Sequence, residues 1–175
     1  MTYDANVKAL AEGAAEQVDR LFSALGAGKL SYDEFAQAAA TVISAAMGKG
    51  STLAELTLAG YLQRALGYVP AFAAVPPSIA AERLLKAIST ITASELDTRM
   101  QLDRLARSEV LKSAASTYDE AIRRSSHVRA YTRGLEADAC ELCTWLYKDG
   151  YEYPANQPMH RHTGCTCHQV PVIRK

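Results

Sequence analysis

The 175-residue chain is 49% hydrophobic and 22% charged, and its formal net charge is zero. This composition is typical of a soluble, globular domain of ordinary size, alone or with an appendage. The balanced charge argues against a dedicated nucleic-acid binder. No apolar run reaches the roughly 18 residues of a membrane span, and the start, "MTYDANVKAL", lacks the features of a secretory signal. We therefore expect a protein made in a reducing cytoplasm, with no membrane partner, where free thiols and metal sites are commoner than disulfides.

Two helices are predicted at the start of the chain. Apolar residues recur at steps of three and four through residues 4–26, and this period lays one apolar stripe along a helix. Ser31 and Glu34 have the spacing of a capping box, in which each residue bonds the other's backbone N–H. A second helix should therefore begin there and run to about Met47.

The segments that follow are less regular. "GKGST" holds two glycines and predicts a break in the helix. Thr52 and Glu55 then have capping-box spacing, which predicts a third helix to about Leu66. Three prolines within residues 67–77 exclude a continuous helix there, and a further helix is predicted over about 79–91.

The longest predicted helix comes next. Thr92 and Glu95 again have capping-box spacing, and an apolar stripe continues through about 94–126. The stripe comprises Leu102, Ala106, Val110, Ala114 and Ala121. Bases outnumber acids from Arg99 to Arg133, whereas acids outnumber bases in the first sixty residues. Such a basic stretch is either a solvated face or a docking surface for an acidic partner.

The composition changes after the long helix. Val128, Ala130 and Thr132 alternate with polar residues in a weak strand pattern, and Asp149-Gly150 is predicted to be the turn of a hairpin within "YKDGYEYP". These patterns predict a mainly α fold, with a helical body, one long helix and a small irregular or β C-terminal knob rich in Cys and His. We divide the chain into an N-terminal helical region, the long helix and the knob, over residues 1–90, 91–127 and 128–175.

The knob contains all four cysteines of the chain. Cys140 and Cys143 have a C-x2-C spacing, which lets one turn place both sulfurs on one ion. Zn²⁺ favours four tetrahedral thiolate and imidazole ligands. In the downstream C-x-C pair, one intervening residue makes it awkward for both sulfurs to bind the same ion, so a histidine could replace one of them. We predict a zinc site made of four of the five residues Cys140, Cys143, His162, Cys165 and Cys167.

Two other states of the cysteines stay open at this stage. The cysteines could form one or two disulfides, for example Cys143 to Cys167, once the protein leaves a reducing cell. They could also stay reduced and pack beside the tyrosines. Of the remaining histidines, we place His160 and His168 at the surface or behind the ligands, and His127 exposed near the end of the long helix.

No catalytic constellation is complete in the sequence. Glu141 lies between the first two cysteines, but neither an H-x-E nor an HExxH pattern occurs. A Gly-rich phosphate loop and a G-x-S-x-G elbow are also missing. We therefore expect a protein that is not an enzyme and has no small-molecule substrate.

The order of motifs in "CELCTWLYKDGYEYPANQPMHRHTGCTCHQVPV" is specific. A Cys-x-x-Cys pair is followed by a "DG" turn, by His with Cys-x-Cys, and by a "VPV" ending. This order resembles the C-terminal signature of the phage Mu F-like head morphogenesis proteins, also called minor capsid proteins. The positions that carry the resemblance are Cys140, Cys143, Asp149, Gly150, His162, Cys165, Cys167, Pro171 and Val172. The resemblance covers roughly residues 95–172, and Thr163 stands where the family commonly has proline.

The resemblance implies a structural or assembly protein of a tailed-phage head. Its partners would be the portal protein, the major capsid protein or both, with packaged DNA as a further contact. It would be located in the host cytoplasm during assembly and in the head of the finished virion. Our candidate docking residues are the arginines near the knob, namely Arg123, Arg124, Arg129 and Arg133. The competing hypothesis is a cellular zinc-stabilised adaptor or DNA-binding regulator.

Overall fold

The computed structural model describes residues 2–70, 81–136 and 139–174, and it confirms a mainly α protein with a small C-terminal sheet. Most of the predicted proline-rich segment, and the start of the helix predicted at residue 79, lie outside the described residues. In chain order the elements are α1 (Tyr3–Gly26), α2 (Tyr32–Leu66), α3 (Ala81–Thr92), α4 (Thr98–Arg124), β1 (Val128–Gly134), α5 (Glu141–Tyr147), a 3₁₀ turn (Lys148–Gly150), β2 (Tyr153–Pro154) and β3 (His168–Ile173).

The second helix begins where the capping box predicts. The backbone N–H of Ser31 donates to Glu34 Oε2 at 2.8 Å, and the backbone N–H of Glu34 donates to Ser31 Oγ at 3.3 Å. Two donors that the first turn would otherwise leave unpaired are thus satisfied, so α2 starts at Tyr32.

The predicted break at "GKGST" is wrong, because α2 continues through it as one helix of 35 residues. Gly50 is buried against α4, where an added Cβ would come within 3.3 Å of Ala114 Cβ. This glycine permits close helix packing and does not end the helix. Thr52 is not a cap either, because its hydroxyl donates to the carbonyl of Gly48, one turn back, at 3.1 Å.

The cap predicted at Thr92 is also wrong. Thr92 is the last residue of α3, and its hydroxyl donates to the carbonyl of Ile88 at 3.0 Å. The cap of α4 is Asp97, whose Oδ1 accepts from the backbone N–H of Met100 at 3.0 Å. The helix therefore begins later than predicted, and with 27 residues it is shorter than the 35-residue α2.

The first four helices share one apolar core. Val18 of α1, Ile43 of α2, Ile88 of α3 and Val110 of α4 are all fully buried in it. A second cluster joins the later half of α2 to the end of α4 and to the first strand. Its buried members are Ala54, Leu58, Leu62, Tyr118, Ala121, Ile122 and Val128. The second cluster therefore anchors the knob to the helical body.

Three short strands form the sheet of the knob in the order β2-β1-β3, and both pairs are antiparallel. The strand predicted from Val128, Ala130 and Thr132 is β1. The hairpin predicted at Asp149-Gly150 is wrong, because the residues before that turn form α5. Asp149 and Gly150 have left-handed φ angles of 52° and 82° in the turn that follows α5. The strand after the turn pairs with β1, so the two sides of the turn do not pair with each other.

Candidate metal centre

The first two cysteines are placed by the start of α5. Cys140 is the N-cap of this helix and Cys143 lies in its first turn. Residues three apart on a helical turn lie on the same side, so both sulfurs are presented together. Cys140 is exposed to solvent, whereas Cys143 is only 2% exposed.

The other ligands come from the loop before β3. The backbone N–H of Cys165 donates to the carbonyl of His162 at 3.1 Å and closes a turn. Within it, Gly164 has a φ of 80°, a left-handed conformation that glycine adopts most readily. The turn brings the His162 imidazole and the Cys165 sulfur within reach of the sulfurs on α5.

The contacts between the ligand atoms have the lengths expected around one ion. His162 Nε2 lies 3.2 Å from Cys140 Sγ and 3.6 Å from Cys143 Sγ. Cys143 Sγ lies 3.5 Å from Cys165 Sγ. Zinc bonds of about 2.3 Å to sulfur and about 2.0 Å to nitrogen separate tetrahedral ligand atoms by roughly 3.5 to 3.8 Å. Each of these three pairs is therefore spaced closely enough for one ion to join its two atoms.

The five predicted ligands form two overlapping groups. Cys140, Cys143 and His162 make one group, and Cys143, Cys165 and Cys167 make the other. Within each group the ligand atoms lie within 4.8 Å of one another. Cys143 belongs to both groups, so the two groups adjoin at its sulfur. Each group could hold a metal ion.

All four cysteines are free thiols in this structure. The sulfurs of Cys143 and Cys165 lie 3.5 Å apart, whereas a disulfide bond is about 2.05 Å long. Because Cys143 and Cys167 are both free, the disulfide predicted as an alternative between them is not formed in this structure.

Sulfur atoms make up much of the knob's own small core. Its buried members are Tyr131, Cys143, Met159, Cys165 and Cys167. So small a cluster buries little hydrocarbon, and small domains of this kind commonly gain stability from a bound metal or from disulfides.

The surroundings of the sulfurs control their protonation. Burial and the neighbouring Cys165 thiol raise the pKa of Cys143, and burial raises the pKa of Cys167. The backbone N–H of Cys143 lowers the pKa of the exposed Cys140 thiol. Both shifts favour the neutral thiol forms of Cys143 and Cys167. A divalent ion reverses that preference, and its binding would release protons.

Arg133 lies against the cluster and is only 3% exposed. Its Nη1 donates to Cys143 Sγ at 3.5 Å, and its Nη2 donates to the backbone carbonyl of His160. The prediction of Arg133 as a surface docking residue is therefore wrong, because its charged end is buried in the knob. The sequence gives no signal of this burial, because the alternation of Val128, Ala130 and Thr132 predicts burial of the other face of the strand.

The other three docking candidates are exposed and paired with acids. Arg123 and Arg124 both bind the carboxylate of Glu120, and Arg129 binds Glu152. Two guanidinium groups share the single carboxylate of Glu120, so this part of the surface keeps an excess of positive charge.

Two polar contacts attach the knob to the helices. Arg161 Nη1 lies 2.6 Å from Asp119 Oδ2 on α4, and His168 Nδ1 lies 2.6 Å from Asp4 Oδ1 on α1. The sequence does not predict the role of Arg161, because a loop pattern gives no information about a partner on a distant helix. His168 is therefore part of the contact with the body and not a free surface residue.

The remaining two histidines, His160 and His127, belong to neither ligand group. His160 is exposed. His127 is half-buried just beyond α4, and its ring stands edge-on to Tyr68 with centroids 6.3 Å apart.

Comparison with known protein families gives a match over the whole chain. A family model described as "VG15 protein" matches residues 1–175. No curated protein and no solved structure matches the chain. Among the helices in the described ranges, none combines the length and the apolar character needed to cross a membrane.

Proposed function

The chain belongs to the VG15 protein family, a family of viral gene proteins, and from this premise we propose that it is a structural protein of a tailed-phage head. Its role would be that of a minor capsid or head morphogenesis protein. It would act in the host cytoplasm during assembly and then remain in the virion. The observation that carries the proposal is the order of ligand motifs in the knob, because that order resembles the Mu F-like proteins and falls on residues that meet in space.

Zinc is part of the proposal. Four of Cys140, Cys143, His162, Cys165 and Cys167 would hold one ion per chain, and the contact distances of 3.2 to 3.6 Å support this fit. When bound, the ion supplies a cross-link between α5 and the loop before β3. The cysteines and His162 orient those two segments and exclude water from the buried side of the joint.

We further propose that the protein is not an enzyme. Both ligand groups consist of Cys and His alone, and a metal-dependent hydrolase needs a nearby carboxylate or other base for proton transfer. Three of the candidate ligands are buried in the knob core. Such burial favours a structural site over one that keeps a position open to substrate.

The partners would be the portal protein, the major capsid protein or both, and packaged DNA would be a further contact. Arg123 and Arg124 support this part of the proposal, because they share the single carboxylate of Glu120 on an exposed turn of α4. The remaining positive charge suits an acidic partner surface, which it would attract during assembly.

Mass spectrometry of purified virions and proheads tests the head assignment. The protein is expected in both particles, at far fewer copies than the major capsid protein. If the chain is found in infected cells but in neither particle, the head assignment fails, and a cellular adaptor or regulator becomes the better account.

Charge reversal tests the proposed docking surface. Arg123→Glu with Arg124→Glu should reduce incorporation into heads without loss of helicity. The control is Lys29→Glu with Lys49→Glu, which makes the same change in net charge at two exposed positions elsewhere. Equal loss of incorporation in both double variants would contradict a specific role for the arginines.

A further inference from the structure

We propose that Arg133 is the fixed counter-charge of the metal centre, and that it favours a ligand set of three thiolates and one histidine. This inference rests on the zinc site of the proposed function and goes beyond it. It assigns a role to a residue outside the ligand set, and it chooses among the ways in which four ligands can be drawn from five candidates.

The first observation is the burial of a permanent positive charge. Arg133 is 3% exposed, and its Nε has no hydrogen-bond partner. A guanidinium group does not lose its proton at any ordinary pH. Burying such a charge is strongly unfavourable unless an anion lies beside it.

The second observation is the kind of partner that Arg133 has. Two other arginines with limited exposure or buried partners bind carboxylates: Arg161 binds Asp119, and Arg83 binds Glu109. Within residues 2–70, 81–136 and 139–174, no carboxylate forms an ion pair with Arg133. Its side-chain contact is instead the sulfur of Cys143, 3.5 Å from Nη1. A neutral thiol would not offset the charge, whereas a metal-bound thiolate would.

The third observation is the sum of charges. One Zn²⁺ with three thiolates and a neutral imidazole carries one net negative charge, and the guanidinium of Arg133 cancels it. With four thiolates the centre would carry two negative charges, and the single guanidinium of Arg133 would leave one of them uncompensated. Charge balance therefore favours a set that includes His162, whose Nε2 already contacts two of the sulfurs at 3.2 and 3.6 Å.

The same guanidinium also joins the two ligand segments. Nη1 reaches Cys143 on α5, and Nη2 reaches the carbonyl of His160, two residues before His162. Arg133 is thus a positioning residue, which holds both segments against β1 and supplies the compensating charge.

Variants of Arg133 test the inference through metal affinity. Arg133→Met removes the charge and keeps much of the side-chain volume. Zinc affinity, measured by competition with a chromogenic chelator, should fall about 10- to 100-fold. Loss of a residue that contacts and orients the metal ligands usually has an effect of this size. Arg133→Lys keeps the charge and should recover most of that loss. Arg104→Met makes the same change at an exposed position on α4, away from the ligands' own segments, and as the control it should bind zinc like the unmodified protein.

A spectroscopic measurement on the unmodified protein covers the case in which Arg133→Met does not fold. Replacement of zinc by Co²⁺ should give the absorption bands of three sulfur ligands and one nitrogen ligand. Bands of a four-sulfur site would overturn the inference. Equal affinity of the Arg133→Met and unmodified proteins would overturn it too, as would an equal loss in Arg133→Lys and Arg133→Met. If the unmodified protein binds no zinc or cobalt, the zinc part of the proposed function fails with it, whereas the head assignment is decided separately by the virion measurement.

Discussion

Arg161, in the loop before β3, binds Asp119 on α4, with 2.6 Å between Nη1 and Oδ2. Both side chains are mostly buried, with 14% and 22% exposure. Burial raises the pKa of Asp119, and the charge of Arg161 opposes that rise. Because Arg161 directly precedes His162, this pair fixes the ligand loop on the helical body.

Loss of this pair should be costly. Arg161→Met would leave the Asp119 carboxyl largely buried without its cation. We expect the free energy of unfolding to fall by about 2 kcal/mol. The loss should be smaller than for a fully buried ion pair, because both groups are partly exposed. Urea denaturation measures this change. Arg123→Met is the control, because its pair with Glu120 is more exposed and its loss should be smaller. Equal losses in the two variants would contradict a special role for Arg161.

The contact between Gly50 and α4 gives a second prediction. A Cβ at Gly50 would lie 3.3 Å from Ala114 Cβ, whereas a Cβ at Gly48 would meet nothing within 4 Å. Gly50→Val should therefore lower the free energy of unfolding by about 1–3 kcal/mol through overpacking. Gly48→Val places the same side chain two residues away, where stability should stay unchanged or rise slightly, since valine is the better helix former. Thermal unfolding of both variants makes the comparison, and a stable Gly50→Val variant would show that the helices are not closely packed here.

The capping box gives a prediction about pH. The backbone N–H and hydroxyl of Ser31 lower the pKa of Glu34 below its ordinary value of 4.5. An acid with a lowered folded pKa stabilises the fold above its unfolded pKa, and this contribution is lost as the pH falls through the folded pKa. Glu34→Gln should thus be less stable than the unmodified protein at pH 6, and the difference should disappear in strong acid. A difference that is constant from pH 6 to pH 2 would contradict the assignment.

Removal of the metal should affect the two parts of the molecule differently. The helical body has its own core of fully buried residues, including Ile43 and Val110, whereas the knob core consists largely of sulfur-containing side chains. Treatment with a strong chelator should leave the helical circular dichroism nearly unchanged and speed amide hydrogen exchange in β1 and β3. Loss of most of the helical signal would show that the body does not fold independently of the metal.

Local patterns predict a large part of this fold. The apolar period of α1 and the Ser31–Glu34 box depend on neighbours within a few residues, and both predictions are confirmed. The spacing also predicts that Cys140 and Cys143 lie together, because a C-x2-C pair fits one turn whatever surrounds it. The position of each of these features follows from the chain close to it.

Three features of the structure differ from the predictions made from local patterns. The sequence predicts that Gly50 breaks the helix, whereas in the structure Gly50 packs against Ala114. The sequence predicts a hairpin turn at Asp149-Gly150. The helix before it, α5, has only seven residues and is too short to show a helical period in the sequence. Arg133 reads as a surface charge until the sulfur of Cys143 is found beside it. Gly50 and Arg133 each pack against a residue of another element, and no local rule names that residue.

Elemental analysis tests the central claim most directly. The protein should be purified under reducing conditions without chelator, and its zinc content measured per chain. The account predicts one zinc per chain, held by four of the five clustered ligands Cys140, Cys143, His162, Cys165 and Cys167. Zinc well below one equivalent, with all four cysteines open to a thiol reagent, would contradict it and leave the sulfurs as ordinary packing groups.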